Sequence, residues 1–438
     1  MMHSLAQELN AALKGSVPGS FLSDLGERIY FPHGIIAQGA DAKKRAKTAN
    51  ATIGMMTQGG KPAILPEIAE ELPRLSAAEI VAYAPTAGNQ ELRELWKQSI
   101  VAKNPALQHT QFSLPVAVSG ITAGLSLLCD LFLSEGDALL AGGPAWDNYE
   151  LISAARRNAA FKPFNMLADG GIDFGSFQEA LQREEAKGAV RLLLNFPHNP
   201  SGYSPTVAEA RTICALLKEG AEKGCRFLVI CDDAYFGLAF EDDVERQSLF
   251  AYLADMHENI FAAKLDGPTK EDFVWGFRCG FLTFAGKGVT GAQYDALTQK
   301  LMGLIRSSVS CSATPSQSLL LKAYGKPRAE EHRARFRAEL AERYRKIRAI
   351  VAARTDCAAL EALPFNSGYF MSFRCADAEA LRLRLLEESG IGTVAIDGHT
   401  LRIAFSSVDA DQIDAVYAAV YRTAEALPVL RTGKDRVP

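Results

Sequence analysis

Four short stretches of this 438-residue chain place single polar side chains where an apolar run ends or a helix begins. In CDDAYFG (231–237), Asp232 leaves a strictly apolar run, with Tyr235 three residues on. A carboxylate at such a place is costly unless it meets a cation or a protonated ring nitrogen; a helix cap or a Mg²⁺-binding carboxylate pair would also suit it. In PTKEDFVWGFRCGF (268–281), Lys270 and Arg278 lie eight positions apart just ahead of another apolar run. An amine and a guanidinium on one loop suit a Schiff base beside a phosphate, although each alone could be a surface charge. SGITAG (119–124) opens an apolar helix, and its small residues leave backbone N–H groups and the Thr122 hydroxyl free to hold a phosphate at the positive helix end. A glycine-softened turn is the plainer alternative. NFPHNPSG (195–202) closes a strand in a Pro/Gly-rich loop around Asn199.

The elements that must position these residues follow from hydrophobic patterning. Strands are expected at 138–142, 190–196, 226–231, 259–264 and 279–285, all short, continuous and apolar, as strands covered on both faces must be. Leu92, Leu95, Trp96 and Ile100 share one helical face, Val207 to Ala221 share another, and Thr122–Phe132 is apolar on nearly all sides. The expected architecture is an α/β fold: an open, mostly parallel sheet flanked by helices. Ligands of such sheets bind at the carboxyl ends of the strands, where the four stretches would converge. Beyond about residue 325 the texture changes. RARFRAELAERYRKIRAIVAAR (333–354) carries one apolar stripe of Phe336, Leu340, Tyr344, Ile347 and Val351 with a solvated basic face. Strand-like 369–373, helix-like 380–388, strand-like 400–407 and a last helix around Ile413, Val416 and Val420 make a smaller α+β unit. KKRAK (43–47) reads as a solvated loop.

Composition bounds the function. The chain is 48% apolar and 22% charged with net charge −4, so charge alone points to neither nucleic acid nor an anionic membrane. No apolar run approaches the ~18 residues of a spanning helix. The first fifteen residues lack the pattern of a secretory signal, and the eight cysteines form no C-x-x-C pair, so reduced thiols and a cytoplasmic location are expected. Seven scattered histidines form no zinc pattern, and no catalytic metal is expected. GKGVTG (286–291) matches G-x-G-x-x-G between a strand and a helix, the context of a nicotinamide-binding oxidoreductase. The acidic residue that should follow about 20 positions on is missing, which disfavours that reading. TQGGKP (57–62) lacks P-loop spacing.

Taken in order, YAPTAGNQELR (83–93), GITAGLSLL (120–128), PAWDNYELI (144–152), NFPHNPSG, DDAYFG, TKEDFVWGFRCGF and LRIAF (401–405) resemble the class I/II aminotransferases, pyridoxal-phosphate enzymes of fold type I, across roughly residues 50–410. The resemblance implies a large domain with a seven-stranded-type sheet (71–325) and a smaller α+β domain built from an N-terminal segment (1–70) and residues 326–438. It implies that Lys270 forms the Schiff base with pyridoxal 5′-phosphate and shuttles the substrate proton. Lys264 is the rival, but the family's eight-residue spacing to its arginine selects Lys270. It further implies that Asp232 meets the ring nitrogen, that Tyr235 and Asn199 meet the ring 3′-oxygen, and that Trp146 stacks on the ring. Gly120, Ile121, Thr122 and Arg278 are implied to hold the phosphate. Tyr83 would reach that phosphate from the neighbouring subunit of a homodimer with shared sites. Arg402, on the side of its strand opposite Leu401, Ile403 and Phe405, would bind the substrate α-carboxylate with Asn199 and Trp146, and Gly54 would mark the segment closing over the substrate.

One departure stands out. The family commonly has a hydroxyl residue three positions before the lysine, and here that position is Gly267, leaving Thr269 or Thr122 to compensate. The activity implied is transfer of an amino group between an L-amino acid and a 2-oxo acid, with β-lyase chemistry the alternative on the same fold. Amino acid and 2-oxo acid are the implied partners, with neither nucleic acid nor membrane.

Overall fold

The computed structural model describes residues 2–14, 22–30, 34–168 and 170–427. Residues 1 and 428–438, which the expected terminal segments include, lie outside the described residues. Seven strands form the central sheet: β1 (Val116–Val118), β2 (Ala138–Gly143), β3 (Ala160–Asn165), β4 (Ala189–Asn195), β5 (Arg226–Asp232), β6 (Ile260–Asp266) and β7 (Gly280–Gly286), in spatial order β1-β7-β6-β5-β4-β2-β3. All run parallel except β7, which is antiparallel to both neighbours. The five strands expected from the sequence are all present. The two that patterning missed are β1, only three residues long, and β3, an edge strand whose half-exposed face breaks the apolar run.

Helices cover this sheet. Among them, α1 (Gln90–Lys103) is capped by Asn89 and α2 (Ile121–Phe132) packs on β6 and β7. Next, α3 (Phe174–Glu185) packs on β3 and β4, and α4 (Val207–Glu222) on β5 and β6. Thr206 and Glu209 close a capping box at the start of α4, each satisfying an otherwise orphaned amide. The helices α5 (Gly291–Arg306) and α6 (Thr314–Tyr324) complete this layer.

A second core lies beside the first. Strands β8 (Glu361–Ala362), β9 (Phe370–Arg374), β10 (Val394–Ala395) and β11 (Thr400–Ala404) form an antiparallel sheet in the order β8-β9-β11-β10. It is packed by α7 (Ala329–Ala352), α8 (Ala378–Ser389) and α9 (Ile413–Glu425). The long helix α7 serves both cores: Phe336 and Leu340 join the first, Tyr344 and Ile347 the second. The N-terminal segment does likewise. Ala49–Asn50 pairs in parallel with Ile391–Gly392, whereas Met56, Ala63, Leu65 and Ile68 pack on the large core. KKRAK does not form a loop; Lys43, Lys44 and Arg45 end the helix Ile35–Arg45, where cations oppose the negative end of the dipole.

The strand directions fix where chemistry can occur. Val118, Gly143, Asn195, Asp232 and Asp266 all end their strands at one edge of the sheet, and β7 starts there. GKGVTG follows β7, so it lies at the opposite edge: Gly286 pairs with Phe261 near the start of β6. Its helix start is closed by the Thr290–Gln293 capping box. Being at the amino ends of the parallel strands, it is not placed as a dinucleotide site requires.

Candidate active site

Asp232 ends β5 at 2% exposure, and its carboxylate is fully engaged. Oδ2 accepts the Tyr149 hydroxyl at 2.6 Å, and Oδ1 accepts the Ala234 amide at 3.2 Å. Burial raises the pKa of this carboxyl, while the Tyr149 hydroxyl and the Lys270 amine oppose the rise. The backbone carbonyl of Asp232 accepts Asn195 Nδ2 at 2.9 Å, and Asn195 Oδ1 in turn accepts the Asn199 amide at 2.9 Å. Asn199 Oδ1 accepts Arg402 Nη1 at 2.9 Å. A continuous hydrogen-bonded chain therefore joins the strand end carrying Asp232 to an arginine of the small sheet.

Lys270 stands on the short turn after β6, half-buried, with Nζ 4.7 Å from the centroid of the Tyr235 ring. Its backbone carbonyl accepts the Tyr369 hydroxyl at 3.0 Å, and Tyr369 packs edge-on against Tyr235. Burial lowers the Lys270 pKa to about 8, with Asp232 opposing the shift and Arg278 adding to it. The lowered pKa gives a larger unprotonated fraction than a free lysine has, as a nucleophilic or proton-shuttling amine needs. Lys264 is different: it lies inside β6, fully buried, and its ammonium contacts the Asp233 and Asp266 carboxylates. Those anions raise its pKa against the cost of burial, so it stays an ammonium.

The turn from β1 into α2 forms an anion cradle. Gly120 is the N-cap residue at φ +87°, α2 has no side-chain cap, and the first-turn amides of Ile121, Thr122 and Ala123 point out of the helix. A Cβ on Gly120 would lie 2.2 Å from Arg278 Nη2, so only glycine lets the guanidinium reach this turn. Arg278 itself has left-handed backbone (φ +49°), the kind of strain found where a side chain must be aimed. Gly280 and Gly267 meet in the same place: a Cβ on Gly267 would lie 2.8 Å from the Gly280 Cα, and one on Gly280 3.0 Å from the Ile121 amide. No hydroxyl residue fits at 267. The buried Thr269 turns its hydroxyl toward the Cys279 carbonyl at 3.5 Å, while Thr122 stays half-buried at the cradle.

On the small sheet, Arg402 is 2% exposed on β11, paired with Ser372 and Val394 of the flanking strands. Nη2 donates to the Thr52 carbonyl at 2.8 Å, the guanidinium lies 4.4 Å from the Phe370 ring centroid, and Nε has no partner. Burial lowers its pKa to about 10, with Tyr235 and Asp147 acting against the shift. Gly54 touches the same cluster: a Cβ there would lie 2.6 Å from Phe370 Cζ and 3.4 Å from the Tyr235 hydroxyl. Trp146, half-buried, packs edge-on against Tyr149 at 5.5 Å. Tyr83 is 91% exposed.

Sequence reasoning missed Tyr149, Asn195 and the Thr52 carbonyl. Tyr149 lies in the three-residue helix Asn148–Glu150, and nothing in its own sequence pattern marks it as the partner of Asp232. Chemically, these residues offer an amine of lowered pKa, a buried carboxylate whose charge acts on it, a helix start that could hold an anion, and a buried guanidinium with Nε unpartnered. Among the described residues, no group of His, Cys, Asp and Glu could hold a metal ion.

Comparisons with known proteins bear on the family and the fold. The model of aminotransferase class I and II matches residues 49–420. A probable N-acetyl-LL-diaminopimelate aminotransferase of Bacillus subtilis is 25% identical over 244 residues, 56% of each chain. Cytoplasmic aspartate aminotransferase of rice is 26% identical over 235 residues, 52% of this chain and 55% of that one. The aligned region thus spans about half the length of the curated relatives. An aminotransferase structure from Anaerococcus prevotii superposes with a TM-score of 0.79 at 20% identity, covering 90% of this chain and 97% of that one. An archaeal alanine:glyoxylate aminotransferase gives 0.76 at 20% identity, covering 93% and 98%, and both likenesses are of fold. With the family's model matched from Ala49 to Val420, around the cleft just described, the chain belongs to the aminotransferase class I and II family.

Proposed function

We propose that this protein transfers an amino group between an L-amino acid and a 2-oxo acid in a ping-pong cycle, with pyridoxal 5′-phosphate as its cofactor. The observation that carries this reading is that the Lys270 amine, 4.7 Å from the centroid of the Tyr235 ring, lies where the charges of the buried Asp232 carboxylate and of Arg278 both act on it. The residues fit the cofactor. The Gly120–Ile121–Thr122 turn and Arg278 suit its phosphate, with Thr269 buried alongside. Asp232 suits a protonated ring nitrogen, Tyr235 and Asn199 suit the ring 3′-oxygen, and Trp146 suits the ring face. When bound, the cofactor supplies a carbonyl that takes the amino group and a ring that accepts the electron pair released at the substrate α-carbon.

Each residue then has a definite task. Arg402, pre-oriented by Asn199 and Thr52, takes the substrate α-carboxylate on its planar fork. The segment around Gly54 covers that carboxylate and keeps water out. Lys270 takes the proton from the substrate α-carbon and would hand it, within the same half-reaction, to the cofactor carbon that receives the amino group; the second half-reaction runs these steps in reverse. Tyr149 holds Asp232 ionised through its hydroxyl.

We further infer a homodimer with shared sites, in which Tyr83 reaches the phosphate of the neighbouring subunit. Its exposure, with Ile64, Leu72, Ile80 and Val81 also exposed nearby, supports a covered face there. A cytoplasmic location is supported by eight cysteines that are all free. Among the described residues, no helix is long and apolar enough to cross a membrane.

The test is a half-reaction. Loaded protein should be yellow, should lose that colour with an amino acid alone and should regain it with a 2-oxo acid. The Lys270→Ala variant should lose at least ~10³-fold in turnover. Absence of visible colour, or transamination by Lys270→Ala at the wild-type rate, would overturn the proposal; release of pyruvate without amino transfer would assign a β-lyase instead.

A further inference from the structure

Behind the cleft lies a buried charged cluster that the proposed reaction does not use. Lys264 is 0% exposed, and its ammonium contacts the Asp233 carboxylate, lies 3.3 Å from Asp266 Oδ2 and sits 4.6 Å from the centroid of the Phe236 ring. Both carboxylates are themselves anchored. Asp233 Oδ2 accepts the Ser248 hydroxyl at 2.6 Å, and Asp266 Oδ1 accepts Trp96 Nε1 at 2.9 Å. Asp233, Asp266, Ser248 and Trp96 are all 5% exposed or less.

Three buried charges are expensive, and an apolar replacement of similar volume is often neutral or stabilising. Stability is therefore a poor reason for this cluster, and its position suggests another. Asp233 immediately follows Asp232, and its amide still belongs to the sheet, donating to the Leu265 carbonyl at 2.8 Å. Asp266 is the last residue of β6, four positions before Lys270. Beyond Asp232 and Asp266 the ladder between the two strands ends and the chains part into separate turns. One ammonium thus bridges the last ordered points of the two segments that present Asp232 and Lys270 to the cleft. Lys264 is also one of the cations that hold the Asp232 carboxyl down.

We propose that Lys264 is a positioning residue: its ammonium, clamped between Asp233 and Asp266, sets the separation between Asp232 and Lys270 and hence the fit of the cofactor ring between them. This rests on the reading of the cleft as a pyridoxal-phosphate site.

The test compares wild type with Lys264→Met and with the uncharged triple variant Lys264→Met, Asp233→Asn, Asp266→Asn. The single variant leaves two carboxylates facing each other without a cation and could fail to fold. The triple variant keeps volume and removes the charges, so it should retain a wild-type melting temperature. The triple variant is expected to bind pyridoxal 5′-phosphate, added to cofactor-free protein and followed by equilibrium titration, about tenfold more weakly. Its kcat should fall by about the same factor while KM for the amino acid stays unchanged, because Arg402 is not disturbed. A triple variant with wild-type cofactor affinity and kcat would overturn the inference, as would an equal change in KM. Failure of the wild-type protein to take up the cofactor at all would instead count against the proposed function.

Discussion

Replacing Tyr149 by Phe removes one hydroxyl and leaves the ring that packs edge-on against Trp146. The lost hydrogen bond is 2.6 Å long, wholly buried, and made to a carboxylate. A bond of this kind contributes about 1.5–3 kcal/mol, which at about 1.4 kcal/mol per unit is a rise of about 1–2 units in the Asp232 pKa. The sign follows from the donor: a hydroxyl donating to a carboxylate favours the charged form, so its removal favours the protonated one. Asp232 is already raised by burial, which means that its folded pKa exceeds its unfolded one. In cofactor-free protein its contribution to stability is therefore fully present below the unfolded pKa and lost as pH rises through the folded pKa. The variant should widen that window at its upper end. In the loaded enzyme the acid limb of kcat/KM should move up by about 1–2 pH units, and cofactor affinity at neutral pH should fall about 10- to 100-fold. A pH profile of kcat/KM together with cofactor titration measures both. An unmoved acid limb, with cofactor affinity unchanged, would refute the argument that Tyr149 acts through the charge of Asp232.

Three further outcomes follow from neighbouring contacts. Capture of pyridoxal 5′-phosphate by cofactor-free protein should accelerate with pH up to about 8, where Lys270 titrates; Asp232→Asn should move that midpoint down, because Asp232 favours the protonated amine, and stopped-flow absorbance reads it. Arg402→Lys loses the planar fork that now spans Asn199 and the Thr52 carbonyl; KM for the amino acid should rise about 10- to 100-fold in steady-state assays, from about 1.5–3 kcal/mol per charged hydrogen bond. Gly54→Ala would place a methyl 2.6 Å from Phe370 Cζ, beneath the guanidinium of Arg402; overpacking of about 1–3 kcal/mol should appear as a fall in kcat/KM with cofactor affinity unchanged.

How much of this site was legible in the sequence depended on whether a residue broke a local rule. Asp232 stood out because a carboxylate closes an otherwise apolar strand, and Lys270 with Arg278 because their spacing lies within one loop. Arg402 was legible because its neighbours Leu401 and Ile403 alternate with it and are fully buried. Contacts made over long separations left no such mark. Tyr149 meets Asp232 across 83 residues, and Arg402 meets a backbone carbonyl 350 residues away, a group that every residue possesses. The strands β1 and β3 were missed for a related reason: the pairing of a three-residue strand and of a half-exposed edge is decided by partners, not by its own pattern.

Gly267 carries this point furthest. In the sequence it looked like the loss of a phosphate-binding hydroxyl, a defect for Thr269 or Thr122 to repair. In the structure its Cα approaches Gly280 so closely that a Cβ would come within 2.8 Å of the Gly280 Cα, and Gly280 in turn presses on the Ile121 amide of the cradle. The two glycines let the lysine turn, the start of β7 and the first turn of α2 share one small space. In the proposed reading, the phosphate contacts that a hydroxyl at 267 would make fall instead to the backbone amides of the turn and to Arg278, which lie against the same glycines. An alanine at 267 would push the lysine turn away from β7 and weaken both at once. The glycine thus records a pairwise constraint between positions 267 and 280, which neither position shows by itself.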